Sequence, residues 1–137
     1  MKLKVLLVED EAALRMVLTD RLQSEGYAVE CASNGDEGHE KATRLQFDLI
    51  ILDVKLPGKN GFDVCCEIRK AGLSTPVLIL TALGRTEDRV KGLKSGTDEY
   101  VTKPFEMLDL MSKIRALLRR TARGPALDAE GTRRSTR

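Results

Sequence analysis

The chain predicts an α/β fold, a single doubly wound sheet of five parallel strands. Three observations predict it. Short apolar runs alternate with helical patterns at steady spacing, the signature of strand–helix–strand units. The runs at 5–8, 49–52 and 77–80 are apolar without interruption, which marks strands covered on both faces, as in a parallel sheet. Finally, a polar group stands just after each of four runs: Glu9 and Asp10, then Asp53, Thr81 and Lys103. In an open parallel sheet such strand ends meet at one edge, where ligands bind.

The elements follow in order. A strand at 4–8 meets Glu9-Asp10-Glu11 and gives way to a helix over 11–25, with Glu11 solvated at its start and Gly26 just past its end. A strand at 27–31 leads to a helix over 34–45. The run Phe47-Asp48-Leu49-Ile50-Ile51-Leu52 forms a strand at 47–52 that stops at Asp53. Leu56-Pro57-Gly58 and Gly61 then open a helix over 61–70, closed by Gly72. A strand at 76–81 precedes a helix over 86–95. Thr86 suits its N-cap, Glu87 and Asp88 suit its first turn, and Gly96 follows it. Glycine is wanted after a helix because the closing residue is often left-handed. A strand at 98–102 precedes the last helix, 105–119, whose stripe of Leu108, Met111, Ile114, Leu117 and Leu118 is expected to pack on the sheet. Right-handed crossovers join such units.

Composition bounds the answer. At 137 residues, 42% hydrophobic and 32% charged, the chain fits one domain with a core of its own. No apolar run approaches the roughly 18 residues of a membrane span. The four-residue run Val5-Leu6-Leu7-Val8 meets three acids, which argues against a secretory signal. Three cysteines, Cys31 and the adjacent Cys65 and Cys66, fit free thiols in a cytoplasmic setting better than a disulfide framework. Net charge is +2, carried by residues 121–137; residues 1–120 hold 19 basic and 19 acidic side chains. No basic face is evident, so direct nucleic-acid binding is not expected of this chain.

The matching pieces Val8-Glu9-Asp10, Leu52-Asp53, Leu56-Pro57-Gly58 with Gly61, Thr81-Ala82 and Lys103-Pro104-Phe105 together resemble the receiver domain of two-component response regulators. Residues 86–120 resemble the OmpR/PhoB-like branch. No single piece is specific, since a strand-end aspartate more often starts a turn and a strand-end lysine is usually just exposed. All five in this order are specific. The resemblance spans residues 3 to 120. It implies a flavodoxin-like (βα)5 sheet of order 2-1-3-4-5. It also implies a signalling switch that takes a phosphoryl group on Asp53 from a sensor histidine kinase. The chain would catalyse only its own phosphorylation and dephosphorylation.

Each residue has a role in that reading. A carboxylate can accept a phosphoryl group as an acyl phosphate. Clustered acids need a cation, and hard oxygen donors suit Mg²⁺. By resemblance Asp10, Asp53 and the backbone carbonyl of Lys55 ligate it, with Glu9 acting through water. Lys103 and Thr81 meet phosphoryl oxygens, and Lys103 is expected to matter for the switch more than for folding. A cis Lys103–Pro104 bond is implied. Tyr100 is the switch aromatic, although a half-buried strand tyrosine would look the same. His39, the one histidine, lies outside every motif and reads as a surface residue. The charged Lys55 and the bulky Leu83 depart from the usual pattern, and both positions bear on dephosphorylation.

Two enzyme-like or binding alternatives compete. A haloacid-dehalogenase-like phosphatase also uses a strand-end aspartate and Mg²⁺, but wants a second acid where Lys55 stands. An FMN binder wants a hydroxyl- or glycine-rich loop after the first strand, where Glu9-Asp10-Glu11 would repel phosphate. A receiver that binds partners without phosphorylation is a third reading.

Two further expectations concern assembly. Arg89, Lys91, Asp98, Glu99, Asp109, Lys113 and Arg115 form a charge-mixed face. In the resembling branch that face forms a two-fold dimer on phosphorylation, and an isologous contact must be self-complementary. Residues 121–137 read as a linker or disordered tail after a receiver at 1–120. DNA would be reached only through an output domain not in this chain.

Overall fold

The computed structural model describes residues 2–82 and 96–123. The expected helix 86–95, with Thr86, Glu87, Asp88, Arg89 and Lys91, lies outside these residues, as do Leu83 and the segment 124–137. Five strands form one parallel sheet: β1 (Lys4–Val8), β2 (Ala28–Ala32), β3 (Leu49–Asp53), β4 (Val77–Thr81) and β5 (Glu99–Thr102). Their order is β2-β1-β3-β4-β5, as the resemblance implies. Four helices accompany them: α1 (Ala12–Ser24), α2 (Gly35–Arg44), α3 (Gly61–Lys70) and α4 (Met107–Arg123).

Alternation along each central strand divides the core in two. Val5, Leu7, Leu49, Ile51, Leu78 and Leu80 face Leu18 and Leu22 of α1 and Leu110, Met111 and Ile114 of α4. Their neighbours Leu6, Val8, Ile50, Leu52, Val77 and Ile79 face Ala42 of α2 and Phe62, Val64, Cys65 and Ile68 of α3. Both faces of β3 and β4 are therefore dry, which explains their unbroken apolar runs.

One helix face differs from expectation. Leu108 is 72% exposed, whereas Leu110 is fully buried. The apolar stripe is centred on Ile114, and at 100° per residue Leu108 falls well off that centre while Leu110 lies beside it. The spacing of three to Met111 had suggested otherwise.

Helix ends follow the chain's punctuation. The Asn34 side chain accepts from the Glu37 amide at 2.8 Å, and that of Asn60 accepts from the Asp63 amide at 3.0 Å. Both are ordinary N-caps. Gly26, Gly72 and Gly96 are left-handed, as expected at these turns. α2 packs tightly on the sheet at Gly38, where an added Cβ would lie 2.9 Å from both γ carbons of Val8.

Candidate functional site

Parallel register brings the polar strand ends together. Val8 of β1 pairs with Leu52 of β3, so Glu9 and Asp53 emerge side by side. Asp53 pairs with Leu80 and Thr81 with Thr102. The Lys103 amide donates to the Thr81 carbonyl at 2.7 Å, which ties the two last polar ends. The Lys103–Pro104 peptide is cis.

The result is an acidic pocket. One carboxylate oxygen from each of Glu9, Asp10 and Asp53 lies within 4.8 Å of the others. Glu9 is only 1% exposed and Asp53 6%, while Asp10 is exposed. Lys103 Nζ stands 3.2 Å from Glu9 Oε1 and 3.2 Å from Asp53 Oδ2. Burial lifts the Glu9 carboxyl above the usual carboxylate range, and the Asp53 charge adds to the rise. The Glu11 amide and Lys103 work against it. Burial alone would depress the Lys103 ammonium, but the charges of Asp53 and Glu9 and the hydrogen bonds to both outweigh it and hold it high. Lys103 thus stands as a counter-charge to both buried acids, beside the role in switching that the resemblance implies for it.

Three carboxylates against one ammonium leave the pocket short of positive charge among the described residues. The donors are all hard oxygens on a partly open rim. That set fits a small divalent cation such as Mg²⁺, which uses one or two carboxylates and keeps several waters.

The loop after Asp53 is closely held. The Gly61 amide donates to the Val54 carbonyl at 2.9 Å, and a Cβ at Gly61 would collide with the Asp53 carbonyl oxygen. Gly58 takes a φ of +77°, left-handed backbone that favours glycine. A Cβ there would collide with the Asp36 carboxylate, and the Gly35 amide donates to the Pro57 carbonyl at 2.9 Å. The N-terminus of α2 therefore clamps the loop after Asp53, a contact that no local sequence signal announced. Lys55 is exposed at the rim. Thr81 is fully buried at the end of β4, and Tyr100 is half-buried against the α2–α3 side of the sheet.

The charge-mixed face divides differently from expectation. Arg89 and Lys91 lie outside the described residues. The Asp98 carboxylate accepts from Arg69 and from the Val77 amide, both at 2.9 Å. Glu99 accepts from the Tyr100 amide at 3.1 Å, Lys113 pairs with Asp109 at 3.0 Å, and Arg115 pairs with Glu25 at 3.3 Å. Each of these five charges thus has a partner within the chain. His39 is partly exposed, in keeping with a place at the surface, and has a partner there. Its Nε2 lies 3.4 Å from Glu67 Oε1, which also accepts from Lys59 at 2.6 Å. Among the described residues no helix is long and apolar enough to cross a membrane.

Comparison with known proteins agrees with this geometry. The profile of the response regulator receiver domain matches residues 5–115. The transcriptional regulatory protein ResD of Bacillus subtilis is 43% identical over 119 residues, which are 87% of this chain and 49% of that protein. CusR of Escherichia coli K12 is 46% identical over 120 residues, 88% of this chain and 53% of that protein. The chain spans about half the length of the curated relatives it matches. Among solved structures, a Francisella response regulator receiver domain superposes with a TM-score of 0.84 at 32% identity, covering 88% of this chain and 99% of that one. TrrA of Thermotoga maritima, solved in complex with Mg²⁺-BeF, superposes at 0.77 with 37% identity, covering 85% of this chain and 99% of that one. The strand order, the clustered strand-end acids and the extent of these matches agree, and the chain belongs to the response regulator receiver domain family, in its OmpR/PhoB-like branch.

Proposed function

We propose that Asp53 is the phosphoacceptor of this receiver and that a sensor histidine kinase supplies the phosphoryl group. The observation that carries this reading is the shared ammonium: Lys103 lies 3.2 Å from both Glu9 and Asp53, with Asp10 completing the acid cluster. An Asp53 carboxylate oxygen forms the new bond to phosphorus as the bond to the donor breaks. The donor group leaves with the electron pair and takes a proton from solvent. Such transfer needs positioning and charge neutralisation more than acid–base chemistry.

The chain's residues divide that work. Glu9, Asp10, Asp53 and the Lys55 carbonyl would hold Mg²⁺. When bound, Mg²⁺ supplies positive charge against the acids and the incoming phosphoryl oxygens. Lys103 is positioned to exchange an acid for a phosphoryl oxygen. Thr81, buried one strand away, offers a hydroxyl, and Tyr100 answers its movement by turning inward. In this reading the chain promotes its own phosphorylation and dephosphorylation and no other turnover. The receiver unit spans residues 1–120, works in the cytoplasm and acts on transcription through an output domain.

Dimerisation on phosphorylation belongs to the same proposal, through Arg89, Lys91, Asp98, Glu99, Asp109, Lys113 and Arg115. Because five of these charges already have partners within the chain, a dimer would exchange pairs rather than create them. Rim pairs of this kind set register more than affinity.

Incubation with a small acyl-phosphate donor and Mg²⁺, followed by intact mass and light scattering, tests the reading. The wild-type chain is expected to gain one phosphate and double its mass in solution. Asp53→Asn is expected to gain none. A phosphate that survives Asp53→Asn would move the acceptor elsewhere.

A further inference from the structure

The turn between β1 and α1 carries two of the three pocket acids, yet it lacks an ordinary helix cap. Glu11 occupies the cap position with extended backbone, its side chain caps no amide, and the first turn holds no acid. In α2 and α3 asparagines do this work. Here the turn is tied by Glu9 and Arg15 instead. The Glu9 amide donates to the Ala32 carbonyl at 3.0 Å, and its Oε2 accepts from the Glu11 amide at 3.1 Å. The Glu9 carbonyl accepts from the Arg15 guanidinium at 2.7 Å, and the Arg15 amide donates to the Glu11 carbonyl at 2.9 Å. The amide hydrogen bond is the first backbone rung of α1, whereas the guanidinium bond is the Arg15 side chain's own and reaches back over Asp10 to Glu9.

The choice of acceptor is informative. A half-buried guanidinium this near an acid cluster would be expected to pair with a carboxylate. Among the described residues Arg15 forms no ion pair and takes a backbone carbonyl. Its bond is charge-assisted and short, the stronger class of hydrogen bond. A second ion pair beside Lys103 would neutralise the pocket further, whereas a bond to the Glu9 carbonyl adds no ion pair and fixes where the acids stand.

Resting on the function proposed above, we infer that Arg15 is a positioning residue for the Glu9–Asp10 pair, holding both carboxylates beside Asp53 so that a divalent cation meets a preformed site. Groups that orient metal ligands without touching the metal change affinity when they are removed. The sign separates this role from a purely electrostatic one. Removing a positive charge near a cation site tightens cation binding, whereas releasing the turn loosens it.

The test is a calorimetric Mg²⁺ titration of the full chain, with amide exchange at Glu11 followed in metal-free protein. Arg15→Met is expected to weaken Mg²⁺ binding by about tenfold or more and to speed Glu11 exchange. Arg15→Lys, which keeps a donor and the charge, is expected to recover most of both. Arg15→Gln keeps a donor without the charge and is expected to fall between them. Unchanged or tighter Mg²⁺ binding in Arg15→Met and Arg15→Gln, with unchanged Glu11 exchange, overturns the inference. A wild-type chain that binds no Mg²⁺ sinks the metal reading instead, and the exchange rates alone then decide whether Arg15 holds the turn.

Discussion

Lys103 and Lys59 make the same kind of contact in two different settings. Lys59 approaches Glu67 to 2.6 Å, closer than the 3.2 Å that separates Lys103 from each of its two acids. The Glu67 side chain, however, is 39% exposed, while those of Glu9 and Asp53 are 1% and 8% exposed. The carboxyl groups respond in opposite directions. Burial raises Glu9 above the usual range, whereas the hydrogen bond from Lys59 lowers Glu67 below it. Distance ranks the pairs one way and burial the other. Burial decides, because water screens the outer pair and pays little for its loss, while buried acids left alone are costly.

The first way to break the comparison is to remove the inner ammonium. Lys103→Met is expected to destabilise the metal-free protein by about 2 kcal/mol, below the usual figure for a buried pair because the pocket is open at Asp10 and Glu9 can protonate. Denaturant unfolding in the presence of a chelator checks it. If Lys59→Met costs as much, burial is not what distinguishes the two sites.

Removing a repelling acid is expected to do the reverse. Asp10→Asn deletes one of three clustered carboxylates and is expected to stabilise the metal-free protein by about 0.5–1 kcal/mol. The same substitution is expected to abolish most of the rise in Tm that Mg²⁺ gives the wild type. A variant that keeps the full Mg²⁺-dependent rise would place the cation away from Asp10.

Much of this contrast was legible in the sequence, and the part that was not has a physical cause. Strand-end placement of Glu9, Asp53, Thr81 and Lys103 follows from apolar runs of fixed period, so the fold and the pocket could be read together. The asparagine caps at 34 and 60 were also open to reading, three residues before Glu37 and Asp63. Arg15 was not, because its partner is a carbonyl and carbonyls have no sequence signature. The contact of Gly35 with the loop at Pro57 joins two elements distant in the chain, and no local pattern encodes it. Leu110 and Leu108 exchanged places because a spacing of three tolerates either phase of the stripe.

The smallest expected effect lies at the outer pair. A carboxyl lowered by folding stabilises above its unfolded value of about 4.3 and loses that contribution as the pH falls through its folded value. Glu67→Gln is therefore expected to flatten slightly the acid limb of the stability curve and to leave neutral pH almost unchanged. Thermal unfolding from neutral to acid pH measures it, and a change at neutral pH as large as that of Lys103→Met would show that the outer cluster carries weight its exposure denies.

The glycine beneath Asp53 has a consequence for protein engineering. A side chain at position 61 would strike the Asp53 carbonyl oxygen, while Lys55 opens onto solvent at the rim. The floor of the pocket is thus closed to variation and its doorway is open. Position 55 is open to substitution, because its side chain is exposed, and position 61 is not. Access to the pocket and the folding of its floor rest on different residues and can be edited apart.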